Sequence, residues 1–188
     1  LGLNWRYLAF PVRPGEVPAA IAGLAALGCR GTNVTVPHKE TVLRVADVVP
    51  PRVRAFGAVN TVIIDRDDAG VPALRGENTD VGGFLYALRE EGFEPAGRRI
   101  LVVGAGGGAR GVVYALCEAG ASEVVVLNRT PARATALVAD LGSSAGCTSL
   151  RADALTPDAL QGHAQGADLL VNTNTVGMWP HIEASSWP

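Results

Sequence analysis

A glycine-rich turn between a buried strand and a helix constrains the fold of this chain more than any other feature. The sequence GAGGGA at residues 104–109 follows the apolar, β-branched run Arg99–Val103 and precedes a helical pattern from about Ala109 to Ala119. In a G-x-G-x-x-A turn, the first glycine allows the sharp bend, the second lets backbone amides approach a pyrophosphate, and the alanine allows close helix packing. The N–H groups of the helix N-terminus complete an anion site. The turn therefore predicts dinucleotide binding, with a merely tight strand-to-helix connection as the alternative.

Buried strands and helices alternate through the rest of the second half. Gly120 ends the first helix, and Thr130-Pro131 is a typical start for a helix that runs to Leu141. Further elements are a short helix from Thr156-Pro157 and strands at Glu123–Leu127, Cys147–Leu150 and Ala167–Val171. This alternation with short glycine turns predicts a parallel α/β sheet of the Rossmann type.

The first half of the chain is also α/β, but two of its strands are joined by a tight turn. The turn Asp67–Gly70 separates the strand candidates Ala58–Ile64 and Val71–Leu74. The other elements predicted here are strands at Asn4–Val12 and Gly31–Val36 and helices at Glu16–Leu27, Pro37–Val48, Arg52–Phe56 and Asp80–Glu91. We place the domain boundary in the last of these helices. This predicts an α/β substrate-binding catalytic domain over residues 1–84 and a Rossmann-type dinucleotide-binding domain over residues 85–188.

Composition excludes several classes of function. The net charge is −2 with both signs interspersed, so we expect no nucleic-acid partner and no anionic membrane surface. No apolar run reaches the ~18 residues of a transmembrane helix. Cys29, Cys117 and Cys147 are widely spaced, with no second Cys or His at metal-ligand spacing, which favours a reduced, cytoplasmic protein without a metal site.

The end of the strand after the glycine turn indicates which dinucleotide is bound. An NAD site has an acidic residue about 20 residues after the turn, which accepts a hydrogen bond from the ribose 2′-hydroxyl. This chain has Asn128-Arg129-Thr130 instead, followed one helical turn later by Arg133. A carboxylate would repel a 2′-phosphate, whereas two guanidiniums and a hydroxyl would bind it. The pattern favours NADP, although Arg133 alone is equally well explained as a solvated helix charge.

Lys39 is the only lysine among 16 basic residues, and it lies where a cation is locally unfavourable. The sequence NVTVPHK at residues 33–39 places it in the first turn of a helix, beside the positive end of the helix dipole. One interpretation is a solvated lysine that tolerates a small penalty. The other is an amine that gives up its proton more easily there, which an arginine does not do near neutral pH. Asp80 is its natural partner, although a carboxylate at a helix N-terminus needs no catalytic explanation.

Five motifs taken together resemble the shikimate dehydrogenase family of shikimate and quinate dehydrogenases. They occur in the order and approximate spacing of that family across essentially the whole chain: Asn33-Val34-Thr35-Val36-Pro37-x-Lys39, Gly57-Ala58-Val59-Asn60-Thr61, Asn78-Thr79-Asp80, Gly104-Ala105-Gly106-Gly107-Gly108, and Asn128-Arg129-Thr130-x-x-Arg133. Five ordered motifs are far more specific than a glycine turn alone.

The resemblance implies a role for most of these residues. Lys39 and Asp80 would be the catalytic acid–base pair, and Thr35 and Asn60 would join them in binding the hydroxyls of a cyclohexene substrate. Met178 would cover the nicotinamide. The pyrophosphate of the cofactor would be bound by Gly104, Ala105, Gly106, Gly107 and Gly108. Its 2′-phosphoadenosine would be bound by Asn128, Arg129, Thr130 and Arg133.

The chain departs from the family pattern in several places. The segment Asn172–Met178 is similar to the Asn-Ala-Thr-x-x-Gly-Met segment that lies near the nicotinamide, but it differs at Thr173 and Asn174. Pro51 stands where some relatives have an acidic cofactor contact. The family's Ser-x-Ser carboxylate motif and its C-terminal part, with a substrate-binding Gln, do not occur in the sequence. We therefore expect both ends to be truncated.

The activity that the resemblance implies is the reversible, NADP-dependent reduction of 3-dehydroshikimate to shikimate in aromatic amino-acid biosynthesis. The partner is then a small molecule, and the oligomeric state is open, with a homodimer as one form. One alternative is a dehydrogenase shifted toward quinate or another substrate. The other is a non-catalytic dinucleotide-binding module, against which Lys39 and Asp80 argue because a sensor needs neither.

Overall fold

The computed structural model describes residues 2–142, 149–177 and 182–183. Its first half contains one small antiparallel sheet with three helices around it. The helices are α1 (Val17–Ala26), α2 (Lys39–Leu43) and α3 (Pro51–Phe56), and the strands are β1 (Gly31–Asn33), β2 (Thr61–Arg66) and β3 (Pro72–Glu77). The strand order is β1-β2-β3, and the register places Thr61 opposite Asn33 on one side and Glu77 on the other. The predicted hairpin around Asp67–Gly70 is present.

The second half is a parallel four-stranded sheet with the order β6-β5-β4-β7. Its elements, with the helix that precedes it, are α4 (Asp80–Glu90), β4 (Arg99–Val103), α5 (Gly107–Glu118), β5 (Glu123–Asn128), α6 (Pro131–Gly142), β6 (Ser149–Ala154), α7 (Pro157–Ala164) and β7 (Leu169–Asn172). The predicted α/β class and the parallel pairing of the two β-branched strands are confirmed. Because the order reverses between β4 and β7, the crevice beyond their carboxyl ends is the topological switch point, where such sheets bind ligands.

One buried core connects the two halves. Both faces of β4 are covered, and Ile100 and Val102 are fully buried, as expected of a strand inside a parallel sheet. The same cluster of buried residues includes Val53 and Phe56 of α3. The ring of Phe56 packs on Tyr114 of α5, with the ring centroids 5.2 Å apart. The helices of the first half are thus packed directly on the helix that follows the glycine turn.

Two predictions about the first half are wrong. The segment Asn4–Val12 is not a strand, although its aromatic residues have high β-propensity, because that propensity requires a neighbouring edge with which to pair. The bonds that hold it are made by side chains instead, from Tyr7 to Asn33 and between His38 and the carbonyl of Val12.

The helix predicted over Pro37–Val48 is much shorter, because α2 covers only Lys39–Leu43 and leaves Pro37 outside. The reason lies in β3. The N–H groups of Asp47 and Val48 bond to the carbonyl of Leu74, and the carbonyl of Val48 accepts from Gly76. These backbone groups pair with a strand edge and cannot also continue the helix. Lys39 nevertheless lies in the first turn, as predicted.

Candidate functional site

Lys39 lies at the start of α2, where the first half of the chain meets the second. Its side chain is 17% exposed, so the amine is partly withdrawn from water but still accessible. Its backbone carbonyl accepts a hydrogen bond from the N–H of Val59, which ties α2 to the segment that leads into β2. That segment also carries Asn60, so the two residues are held in one local frame.

The amine of Lys39 is paired with the carboxylate of Asp80 on α4. Lys39 Nζ lies 2.7 Å from Asp80 Oδ2, and Asn60 Nδ2 donates to the other carboxylate oxygen, Oδ1, also at 2.7 Å. Three residues that the sequence singled out from three separate motifs therefore form one hydrogen-bonded group. We call Lys39, Asn60 and Asp80 the polar cluster.

Asp80 is held by the turn that starts α4. The N-cap residue of α4 is Thr79. The side-chain oxygen of Asn78, one residue earlier, accepts from the N–H of Asp80 at 2.9 Å and so caps the helix. The amide of Asn78 donates to the carbonyl of Ala58 at 2.9 Å. Since Asn78 is buried, this bond fixes the turn on the segment that carries Asn60.

Asn60 is the most constrained member of the polar cluster, because its side chain is 7% exposed and bonded at both ends. Its Oδ1 accepts from the N–H of Thr79 at 3.0 Å and from the hydroxyl of Thr61 at 2.9 Å. Thr61 Oγ1 in turn accepts from Asn33 Nδ2 at 3.3 Å. Neither Thr61 nor Asn33 is among the predicted site residues. Their positions inside the quoted motifs were the only sequence signal that they belong to the site. A sequence does not show which side chains meet across β1 and β2.

The glycine turn has the geometry that a pyrophosphate cradle needs. Gly104 has a φ of 118°, and a Cβ there would lie 2.5 Å from Thr173 Oγ1, so only glycine fits. Gly106 is the N-cap of α5, and no side chain caps this helix. A Cβ on Gly106 or Gly108 would meet no atom of the described residues within 4 Å, so in this part of the structure the space beside both glycines is open. The free end of a twelve-residue helix at the switch point therefore fits a dinucleotide phosphate.

The glycine turn lies beside the polar cluster. A Cβ on Gly107 would lie 3.6 Å from Lys39 Cβ and 3.8 Å from Ala58 Cβ, which is ordinary van der Waals distance. Arg110, one turn further along α5, strengthens this junction. Its Nε donates to the carbonyl of Phe56 at 2.8 Å, and its terminal nitrogen pairs with Asp140 of α6 at 2.8 Å. Nothing in the sequence indicated this arginine's role.

The residues predicted to bind a 2′-phosphate surround the end of β5. Asn128 is its last residue and donates from Nδ2 to the carbonyl of Thr130 at 2.9 Å. The side chains of Arg129, Thr130 and Arg133 are exposed at the start of α6. Within the described part of the chain, neither Arg129 nor Arg133 is in an ion pair. Their charges are therefore accessible to an anion.

Thr35 is the predicted site residue that the hydrogen bonds do not bring into the polar cluster. It is exposed in the loop between β1 and α2 and lines an open cavity of about 930 Å³ together with Asn33, Thr61 and His38. Met178 lies outside the described residues, as does Cys147 at the start of the predicted strand Cys147–Leu150. Over the ranges 2–142, 149–177 and 182–183, no three His, Cys, Asp or Glu side chains are grouped as a metal site, and no helix is long and apolar enough to cross a membrane.

A second polar pair lies at the end of β6. His163 of α7 and Asp153 are bonded, with Nε2 3.0 Å from Oδ2. This hydrogen bond, and a smaller contribution from the N–H of Ala154, lower the pKa of the Asp153 carboxyl from its ordinary value of 3.8. No hydrogen bond joins this pair to the polar cluster among the described residues.

Comparison with protein families and known proteins gives a consistent result. The family model described as "Shikimate dehydrogenase substrate binding domain" matches residues 1–62, and "Shikimate / quinate 5-dehydrogenase" matches residues 87–173. A curated relative, the shikimate dehydrogenase (NADP(+)) of Moorella thermoacetica, is 46% identical over 187 residues. The match covers 100% of this chain and 61% of the relative, so the chain spans about three fifths of that protein's length.

Solved structures agree with this result. Shikimate 5-dehydrogenase from Listeria monocytogenes, in complex with shikimate and NAD, matches with a TM-score of 0.82 and 30% identity over 100% of this chain and 64% of that chain. Shikimate 5-dehydrogenase from Thermus thermophilus, in complex with NADP(H) and shikimate, matches with a TM-score of 0.75 and 38% identity over 94% of this chain and 59% of that chain.

Proposed function

This chain belongs to the shikimate dehydrogenase family, and we propose on that basis that the protein catalyses the reversible reduction of 3-dehydroshikimate to shikimate with NADP. The observation that carries the proposal is the proximity of Lys39 to Gly107, since a Cβ built on that glycine would lie 3.6 Å from Lys39 Cβ. It sets the only lysine of the chain, paired with Asp80, directly against the turn that fits a dinucleotide. A module that only bound the cofactor would need no amine–carboxylate pair there.

Proton transfer is the task that we assign to Lys39. Oxidation of a secondary alcohol removes a hydride from carbon and a proton from oxygen, and the reverse reaction needs both. NADP supplies the hydride acceptor for oxidation and, when reduced, the hydride donor. The Lys39 amine takes the hydroxyl proton as the C–O bond becomes C=O, and it returns that proton in the reduction. Asp80 holds the amine in place through its 2.7 Å contact.

Substrate binding is assigned to four residues, of which three form the polar cluster. Lys39 and Asp80 present polar atoms to the substrate hydroxyls, and Asp80 is 40% exposed and so can accept from one. Thr35 adds an exposed hydroxyl from the neighbouring loop. Asn60 is bonded to the protein at both ends of its amide, which favours a contribution to substrate binding through the orientation of Asp80.

Two groups of residues would hold NADP. We assign the pyrophosphate to the backbone of Gly104–Gly108, because the cradle is open beside Gly106 and Gly108. We assign the 2′-phosphoadenosine to the exposed group at the end of β5, namely Asn128, Arg129, Thr130 and Arg133, because no carboxylate stands at that strand end. A contact of Met178 with the nicotinamide remains part of the proposal.

The remaining assignments concern organisation. A division into a catalytic domain over residues 1–84 and a cofactor domain over residues 85–188 is supported by the two separate sheets. It is also supported by the two family models, because the first match ends at residue 62 and the second begins at residue 87. We further propose a cytoplasmic enzyme with a small-molecule substrate and no nucleic-acid partner, and a homodimer as its oligomeric form.

The test is a spectrophotometric assay of NADPH oxidation with 3-dehydroshikimate and of NADP⁺ reduction with shikimate, each compared with quinate. We expect turnover with the shikimate pair, and a higher kcat/KM for shikimate than for quinate. A higher value for quinate would assign the protein to the other activity that the family model names. Tight NADPH binding without turnover on any of these substrates would instead support a non-catalytic module.

A further inference from the structure

We propose that Thr61 is a positioning residue that orients the amide of Asn60 and, through it, the Asp80 carboxylate and the Lys39 amine. The inference rests on the proposed function, because it concerns the same polar cluster. Thr61 is the first residue of β2 and lies opposite Asn33 of β1. Its hydroxyl bonds to the side chains of Asn60 and Asn33, and so lies one residue away from the reacting groups.

The orientation of the Asn60 amide follows from a backbone donor. The N–H of Thr79 can only donate, and it lies 3.0 Å from Asn60 Oδ1. This end of the amide is therefore the oxygen, and the nitrogen end faces the carboxylate of Asp80 at 2.7 Å. The reverse orientation would place two donors against each other and two acceptors against each other.

The direction of the Thr61 hydroxyl follows from the next bond. Asn60 Oδ1 can only accept, so the Thr61 hydroxyl, 2.9 Å away, gives its single hydrogen to that atom. Thr61 Oγ1 is then an acceptor for Asn33 Nδ2 at 3.3 Å, and the oxygen end of the Asn33 amide accepts from the hydroxyl of Tyr7. A donor thus faces an acceptor at each step from Tyr7 to Asp80, and bonds arranged in such a series polarise one another.

The consequence is that Asn60 has no spare bonding capacity on its oxygen. The hydroxyl of Thr61 at 2.9 Å and the N–H of Thr79 at 3.0 Å both donate to that atom. The Thr79 hydroxyl lies further away, at 3.4 Å, and accepts from Asn60 Nδ2 at 3.1 Å. A valine at residue 61 would replace one donor with a methyl group of the same shape. The oxygen of the buried amide would then be held by Thr79 alone, and the amide would turn, so that its Nδ2 no longer meets Asp80 Oδ1 squarely.

The experiment compares Thr61→Val, which removes the hydroxyl at constant shape, with Thr61→Ser, which keeps it. Thr135→Val is the control, since its hydroxyl bonds only to the carbonyl of Pro131 within α6 among the described residues. Three quantities are measured: kcat for shikimate oxidation, the Kd of NADPH, and the ¹³C signal of lysine labelled at its ε carbon. Lys39 is the only lysine of this chain, and its resonance is identified as the one that Lys39→Arg removes.

We expect Thr61→Val to lower kcat roughly tenfold, the value of one hydrogen bond, with an unchanged Kd for NADPH and a displaced Lys39 resonance. Thr61→Ser is expected to restore both kcat and the resonance, and Thr135→Val to alter neither. Wild-type kcat in Thr61→Val would overturn the proposal, as would a serine variant that behaves like the valine variant. If the wild type itself shows no turnover, the proposed function fails, and the Lys39 resonance alone tests the role of Thr61. A resonance that Thr61→Val displaces and Thr61→Ser restores would support that role. A resonance that does not move in Thr61→Val would overturn it.

Discussion

Lys39 Nζ lies 2.7 Å from Asp80 Oδ2, although the two residues are 41 positions apart and belong to different helices. Each of them alone has an ordinary explanation, as a solvated lysine and as a helix-start carboxylate. Their contact adds what neither explanation predicts, because the amine and the carboxylate are held together beside the glycine turn. This pairing is the basis of the first prediction.

Lys39→Met is expected to lower kcat by about 10² or more, because general acid–base catalysis contributes 10²–10⁴. NADPH binding should be unchanged, since the methionine fills a similar volume beside Gly107. Lys39→Arg is the matched variant: it keeps a positive charge but does not exchange its proton near neutral pH, so it should rescue little. Near-wild-type kcat in Lys39→Arg, measured by steady-state kinetics, would show that the amine acts only as a charge.

Arg129→Ala combined with Arg133→Ala is expected to weaken NADP much more than NAD. A charge-assisted hydrogen bond contributes roughly 1.5–3 kcal/mol, so a preference of tenfold or more for NADP should disappear. The two Kd values are measured by titration of each cofactor. Arg151→Ala is the control, because this arginine pairs with Glu123 at the opposite end of the strand. An equal loss of affinity for both cofactors would mean that Arg129 and Arg133 serve the fold.

Two glycines of the same turn should respond differently to alanine. Gly104→Ala is expected to lower the free energy of unfolding by about 2 kcal/mol or more, because the residue has a positive φ and its Cβ would collide with Thr173. Gly106→Ala should leave stability near the wild-type value, since its φ is −95° and nothing lies within 4 Å of the added carbon. It should instead weaken NADPH binding by filling the phosphate space. Denaturant unfolding and NADPH titration separate the two effects, and similar unfolding curves for both variants would refute the assignment.

The Asp153–His163 pair should make stability depend on acidic pH. The pKa of Asp153 is lower in the folded chain than its ordinary value of 3.8. The ionised carboxylate therefore contributes to the free energy of unfolding at pH values above 3.8. The contribution is lost as the pH falls through the lower folded value. Asp153→Asn should therefore reduce the free energy of unfolding at pH values above 3.8, and the difference from the wild type should disappear once the pH is below the lowered pKa of the folded chain. Asp68→Asn, in the exposed hairpin turn, is the control. Parallel curves for Asp153→Asn and the wild type would contradict the prediction.

The second half of the fold was largely predictable because its signals are local. A β-branched run such as Val124–Leu127 has few conformations other than a buried strand, and Thr156-Pro157 starts a helix whose N-cap oxygen accepts from Ala159 as such residues do. The errors came where a distant partner decides. The segment Asn4–Val12 does not pair with another strand. The backbone groups that would have lengthened α2 form hydrogen bonds with β3 instead.

The candidate site divides in the same way. The glycine turn and the arginines after β5 are recognisable from spacing, since they lie within one strand–helix unit each. Asp80 could be named as the partner of Lys39 from the charges of the two residues, but their assignment as a catalytic pair came from the resemblance of whole motifs. Thr61 and Arg110 were missed because their importance lies in bonds across strands and between helices, which the identity of a single residue does not reveal.

The residues proposed to set cofactor preference and the residue proposed to transfer the proton lie at different strand ends of this fold. Arg129 and Arg133 follow β5, whereas Lys39 lies beside Gly107, which follows β4. The two properties are therefore separable in evolution. A descendant can exchange one cofactor for another by changing the loop after β5 while it inherits its catalytic pair intact, or it can acquire a new substrate without altering the coenzyme it draws on.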